Sequence, residues 1–292
     1  MRRGGIFGRL SWAVLGFIFA LSGSANGTED SAARGAYLAA AGGCVSCHTD
    51  YKRKSPRFAG GGAIKTPFGV FYAPNITSDR QHGIGGWSAD DFKRAMREGI
   101  APDGSHFFPA FPYTAYTAIT DRDLNDLWVY LSGVAPVARP NRPHQLGFPF
   151  GWRFPVSFWK IMNFRLGAFK PKTDKSPAWN RGAYLVTALV HCGECHTPRN
   201  ALGGLRRASW MAGAKNGPEG ESVPNITPHP KDGIGRWTDD DIETYLADGM
   251  DPDGDFAESL MADVIDRSTG KLNPSDIKAI IVYLRSLKPL AK

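Results

Sequence analysis

Cysteine is scarce in this 292-residue chain, with four in all, and methionine hardly less so, with six. Long apolar stretches are missing beyond the first 25 residues, which excludes a polytopic membrane protein. No run of five Lys or Arg occurs, so nucleic acid is not an expected partner. The composition, 42% hydrophobic and 22% charged, leaves no room for a disordered chain. What is plentiful is glycine (34) and proline (21), which favours a loop-rich fold over a long helical bundle.

The N-terminus reads as an export signal over residues 1–25. Arg2, Arg3 and Arg9 form a positive region, residues 10–21 are uncharged and apolar, and Gly23 and Ala25 supply small residues at −3 and −1 of a cleavage site. Such a segment is short for a membrane span. Membrane contact is therefore expected only by association or through an uncleaved N-terminal anchor, and the expected location is the periplasm. No Cys follows the apolar run, which excludes a lipoprotein. Without residues 1–25 the formal net charge falls from +7 to +4, too little to name a partner.

An exported chain with an even number of cysteines ordinarily suggests disulfides. The spacing here says otherwise. Cys44 and Cys47 are followed at once by His48, and Cys192 and Cys195 by His196. Cys-x-x-Cys-His attaches c-type haem: two thiols reach the two vinyl groups of one porphyrin edge, and the next imidazole falls beneath the iron. No βαβ pattern supports a thioredoxin-like pair, and no second His stands at zinc-finger spacing. The expected cofactors are two covalently bound haem c groups, with Cys44, Cys47, Cys192 and Cys195 as attachment points and His48 and His196 as iron ligands.

The two motifs belong to an internal duplication. Arg34-Gly35-Ala36-Tyr37-Leu38 recurs as Arg181-Gly182-Ala183-Tyr184-Leu185, and Pro74-Asn75-Ile76-Thr77 as Pro224-Asn225-Ile226-Thr227. Gly83-Ile84-Gly85-Gly86-Trp87 matches Gly233-Ile234-Gly235-Arg236-Trp237, and Pro102-Asp103-Gly104 matches Pro252-Asp253-Gly254. Ser88 and Thr238 read as N-caps with Asp91 and Asp241 three residues on, and their helices stop at Gly99 and Gly249. Closing helices start after Thr120 and Asn273; Leu124, Leu127, Trp128 and Leu131 share one face, as do Ile277, Ile280, Ile281 and Leu284. Strand signals are weak. The expected fold is all-α, with two tandem cytochrome c domains, 29–139 and 179–292. They are joined by an aromatic-rich linker, 140–178, which either packs across both domains or offers a partner a docking surface.

These motifs, with the Pro109-Ala110-Phe111-Pro112-Tyr113 run and Cys195-His196-Thr197-Pro198-Arg199-Asn200, resemble the multihaem cytochrome c subunits of bacterial periplasmic dehydrogenases of the alcohol, gluconate and aldehyde type. The resemblance covers nearly all of the mature chain. It implies class I cytochrome c domains and a non-catalytic role: electrons pass from a partner dehydrogenase to another cytochrome, a terminal oxidase or a quinone-linked system. Such subunits commonly carry three haems and a C-terminal membrane attachment, whereas this chain has two motifs and a polar end.

The resemblance also makes Met261 the distal ligand of the second haem, with Met250 and Met211 as the alternatives. The equivalent position in the first half is Phe111, which cannot bind iron. His106 is the nearest donor there, with Met96, His82 or an iron open on its distal side as alternatives. A thioether raises the potential of a haem and a second imidazole lowers it, so the second haem is expected to be the more oxidising. The rival reading is a di-haem enzyme, peroxidase-like or thiosulfate-oxidising, that uses an open or labile first haem. A haem-based sensor would need an output domain, and none is visible.

Overall fold

The computed structural model describes Met1 and residues 23–291. The export signal read over residues 1–25 thus lies almost wholly outside the described residues. The first half runs α1 (Gly23–Ala41), α2 (Cys44–Cys47), β1 (Ala63–Thr66), β2 (Gly69–Tyr72), α3 (Ala89–Glu98), α4 (Tyr113–Tyr116) and α5 (Asp121–Ser132). The connecting segment carries β3 (Gln145–Leu146) and α6 (Phe154–Asn163). The second half runs α7 (Pro177–Tyr184), α8 (Gly193–His196), α9 (Asp239–Asp248), α10 (Ser259–Arg267) and α11 (Pro274–Arg285).

The helix ends follow from local chemistry. The Ser88 and Thr238 hydroxyls accept from the Asp91 and Asp241 N–H groups, and both aspartates reach back to the cap N–H. These reciprocal bonds satisfy donors that the first helical turn leaves free. Gly99 and Gly249 end α3 and α9 in the left-handed region. The Thr120 and Asn273 side chains accept from the Asp123 and Asp276 N–H groups to cap α5 and α11, with Pro274 in the first turn of α11.

The expectation of an all-α fold requires correction: the fold is helix-rich with a small antiparallel sheet, in the order β1-β2-β3. Ala63 pairs with Tyr72 and Thr66 with Gly69 around a two-residue Pro67-Phe68 turn, while Val70 pairs with Gln145. The hairpin holds Ile64, Thr66, Val70, Phe71 and Tyr72, residue types that suit a pleated, half-buried surface. Four-residue strands are too short to assert a period, and the third strand arrives from more than 70 residues away. In the second half the ladder shrinks to an isolated bridge between Ala214 and Val223.

In each half the opening helix crosses the closing helix, and a glycine makes the crossing possible. A Cβ on Gly35 would come within 2.0 Å of the Asp126 carbonyl oxygen on α5, and one on Gly182 within 1.8 Å of the Ala279 oxygen on α11. The flanking Arg and Tyr of the repeat do different jobs. Arg34 pairs with Asp123 and Asp126 of its own half, and Arg181 with Asp276 of its own. Tyr37 instead donates across to Asp276 at 2.6 Å, and Tyr184 across to Asp123 at 2.5 Å. The two halves are therefore stitched together by a reciprocal pair of tyrosine–carboxylate bonds. Their apolar residues form one continuous core, in which Leu38, Leu124 and Leu127 join Leu185, Leu189 and Ile280.

Candidate haem sites

Each cysteine pair lies on a single helical turn. The His48 N–H donates to the Cys44 carbonyl oxygen, and the His196 N–H to that of Cys192, both at 3.0 Å. No disulfide joins any of the four cysteines. Burial pushes Cys44 and Cys192 up to about 12 and Cys195 up to about 11. A cysteine that acts as a nucleophile needs the opposite shift.

The imidazoles are oriented by the second repeated motif. His48 Nδ1 lies 2.7 Å from the Pro74 carbonyl oxygen, and His196 Nδ1 lies 2.8 Å from that of Pro224. A carbonyl can only accept, so Nδ1 carries the proton in both rings and the lone pair is left on Nε2. Burial disfavours the imidazolium at both positions despite the carbonyl partner, which keeps the rings neutral. This donor set suits an axial haem ligand, since an oriented second-shell acceptor fixes the tautomer that binds metal.

Asn75 and Asn225 hold the proline carbonyls in place. Asn75 Oδ1 accepts from both the N–H and the hydroxyl of Thr77, and its amide donates to the Val137 and Arg139 carbonyls. Asn225 does the same with Thr227 and the Leu290 carbonyl. Sequence reasoning found the Pro-Asn-Ile-Thr repeat without finding its task. The signal that could have exposed it is that each copy follows a haem motif by nearly the same interval.

The methionines of the second half occupy three different settings. Met211 is fully buried, and its N–H bonds Thr197 Oγ1 just as the N–H of Phe58 bonds Thr49 Oγ1 in the first half; it is a core residue. Met250 is exposed and bridges to Phe256, as Ile100 does to His106. Met261 is half-buried in the first turn of α10.

The same register puts Phe111 at the Met261 position, with its ring against Phe107, Tyr113 and Tyr116. His106 faces the connecting segment. Lys160 Nζ lies 2.5 Å from the Glu98 oxygen, 3.0 Å from the Gly99 oxygen and 2.9 Å from His106 Nδ1. Three acceptors use all three ammonium hydrogens, so His106 Nδ1 accepts and Nε2 carries the ring proton. Met96 is buried in the core on α3. His82 lies in the loop after Pro-Asn-Ile-Thr, its N–H bonded to Asp79.

The two motifs lie close to one another across the interface between halves. Tyr116 donates to the Gly42 oxygen beside Cys44 at 2.8 Å, and its ring meets that of His191, the residue before Cys192, at 5.3 Å. Thr114 donates to Glu194, inside the second motif, at 2.6 Å. From the other half Ser268 donates to the Ala41 oxygen, and Arg267 stacks on Tyr51. Among the described residues no cluster of His, Cys, Asp and Glu could hold a bare metal ion.

Comparison with known proteins bears on what these sites hold. Over 263 residues the chain is 42% identical to a protein of Cereibacter sphaeroides named diheme cytochrome c-type, covering 89% of this chain and 86% of that one. The chain belongs to the di-haem c-type cytochromes. Two covalently bound haem c groups are its cofactors, and its role is electron transfer rather than catalysis. The cytochrome is also 42% identical over 272 residues to the fructose dehydrogenase cytochrome subunit of Gluconobacter japonicus. It is 40% identical over 262 residues to the gluconate 2-dehydrogenase cytochrome c subunit of Pantoea cypripedii. It covers 55% and 59% of those two proteins, so it spans little more than half their length. No protein-family model matches the chain.

Proposed function

We propose that this cytochrome works in the periplasm, taking electrons from a dehydrogenase and passing them to another cytochrome, a terminal oxidase or a quinone-linked system. The relatives named as dehydrogenase cytochrome subunits support the donor. In this reading residues 29–139 and 179–292 are two cytochrome c domains, joined by residues 140–178. Cys44 and Cys47 hold one haem over His48, and Cys192 and Cys195 hold the other over His196. The observation that carries the reading is the twinned Nδ1–carbonyl bond, which leaves one free Nε2 lone pair beside each thiol pair.

Bound haem supplies a one-electron iron couple. The chain's part is to orient the imidazoles, exclude water and set the two potentials apart. Met261 is the proposed sixth ligand of the second haem. His106, the proposed candidate at the first, can bind through Nε2 only if its ring gives up either the proton there or the Lys160 bond. With a thioether on one side only, the second site is the more oxidising.

Haem content and a redox titration test this together. The mature protein should carry two covalent haems, Cys44→Ser/Cys47→Ser and Cys192→Ser/Cys195→Ser one each, and Met261→Ala should lower the higher of two resolved potentials. A wild-type protein with one haem, or a higher potential untouched by Met261→Ala, would overturn the assignment. Carbon monoxide added to the reduced protein reads the first site separately: binding to one haem places its sixth position outside His106 control.

A further inference from the structure

Helix α6 is inverted relative to an ordinary surface helix. Its protein-facing side carries Val156, Trp159, Lys160 and Asn163, spaced as one helical stripe. Trp159 Nε1 donates to the Leu202 oxygen at 2.7 Å, Asn163 Oδ1 accepts from Asn200 at 3.1 Å, and Lys160 meets Glu98, Gly99 and His106. The opposite stripe is Phe154, Phe158, Ile161 and Met162, all more than half exposed. A soluble helix ordinarily arranges these two faces the other way round.

The apolar stripe does not stand alone. Phe148 and Trp152, in edge-to-face contact at 5.5 Å, lie just before it in the chain, and Leu166 just after; these seven side chains are 55–83% exposed. Taking about 200 Å² for each large side chain, they present on the order of 1000 Å² of apolar surface to solvent. Monomeric soluble proteins rarely leave a patch that large uncovered.

Charge identifies the cover. Residues 140–178 hold seven Lys or Arg against the single acid Asp174, a net +6; the rest of residues 26–292, +4 overall, is therefore −2. The positive charge of the mature chain is concentrated in the segment that carries the exposed Phe, Trp, Ile and Met residues. Arg153, Arg165, Lys170, Lys172 and Lys175 are all exposed there. An outward Phe/Ile/Met ridge, on a segment whose exposed charges are Arg and Lys with the single acid Asp174, suits the interface of a bilayer bearing anionic headgroups.

We propose that the face formed by residues 148–166, with the basic residues that follow, seats this cytochrome on an anionic lipid bilayer. No helix among the described residues is long and apolar enough to cross a membrane; the contact proposed here is that of a face lying on the lipid surface. Anchored by α6, the two haem sites stay at the lipid surface.

Flotation of the mature holoprotein with vesicles tests this. Vesicles of 30 mol% dioleoylphosphatidylglycerol in dioleoylphosphatidylcholine should carry most of the protein at low salt, and pure phosphatidylcholine vesicles at least tenfold less. Binding should fall as salt is raised to 0.5 M, because the basic residues contribute by screened attraction. Phe154→Ser/Phe158→Ser/Ile161→Ser/Met162→Ser should abolish it with both haem spectra unchanged. Arg165→Gln/Lys170→Gln, at positions outside the core, should weaken it severalfold and covers the case in which the fourfold variant fails to fold. Absence of binding at low salt overturns the proposal. So does equal binding to neutral vesicles. If the fourfold variant still binds lipid but a concentration-dependent dimer or a dehydrogenase complex is lost, the face is a protein interface and the proposal is equally overturned.

Discussion

Asp276 is buried and receives three charge-assisted bonds, two from Arg181 of its own half and one from Tyr37 of the other. Burial alone would raise its carboxyl, but Arg181 and Tyr37 outweigh it and hold the group below the ordinary carboxylate range. A depressed folded-state pKa gives stability that is present above the unfolded value of about 3.9 and lost as pH falls through the folded value. Tyr37→Phe should therefore cost about 1–3 kcal/mol at pH 7, read from the urea midpoint, since it leaves a buried carboxylate one partner short. Asp276→Asn should be less stable at pH 7 and decline less steeply below about pH 4 than wild type; parallel acid limbs would refute the assignment. Residue chemistry was partly legible. The haem motifs could be read because covalent attachment permits only one spacing. Pro74 and Pro224 could not, because they act through backbone carbonyls, which any residue possesses. Nor could the Lys160–His106 bond be read, because it joins residues 54 apart in sequence whose meeting depends on where α6 packs.

The crossings of α1 over α5 and of α7 over α11 are where sequence and packing meet most directly. Caps, stop glycines and apolar stripes placed α3, α5, α9 and α11, because each rests on chemistry within one or two helical turns. The β-hairpin and the inverted α6 escaped, the first because it is short and the second because its pattern is that of a core helix. Gly182→Ala should force α7 away from α11, at a cost of about 2–3 kcal/mol by the rule for overpacked contacts. Gly133→Ala is the control. Its added carbon would meet nothing closer than 3.5 Å, and the change should stay within about 0.5 kcal/mol. Chemical denaturation of both variants decides it, and equal midpoints would remove the close approach as the reason for glycine in the Arg-Gly-Ala-Tyr-Leu repeat.

A duplicated sequence suggests two units, and here the two share one apolar core and exchange hydrogen bonds. The core runs unbroken through both halves, each half's tyrosine is spent on the other's aspartate, and α4 and α10 each lean on the opposite haem motif. Opening either half alone would strand Asp123 or Asp276 without its tyrosine and expose Leu185, Leu189 and Ile280 or their counterparts to water. The duplication was visible as repeated strings, but a string cannot say whether its Tyr bonds its own half or the other. Native-state hydrogen exchange distinguishes the two architectures. If the shared core and the reciprocal bonds couple the halves, the slowest amides of α5 and of α11 should share one opening free energy in the wild type. In Tyr37→Phe/Tyr184→Phe the two values should separate, the reciprocal bonds being gone. Distinct values already present in the wild type would show two independently unfolding domains. The short path between the haem motifs would then depend on a linker rather than on a shared core.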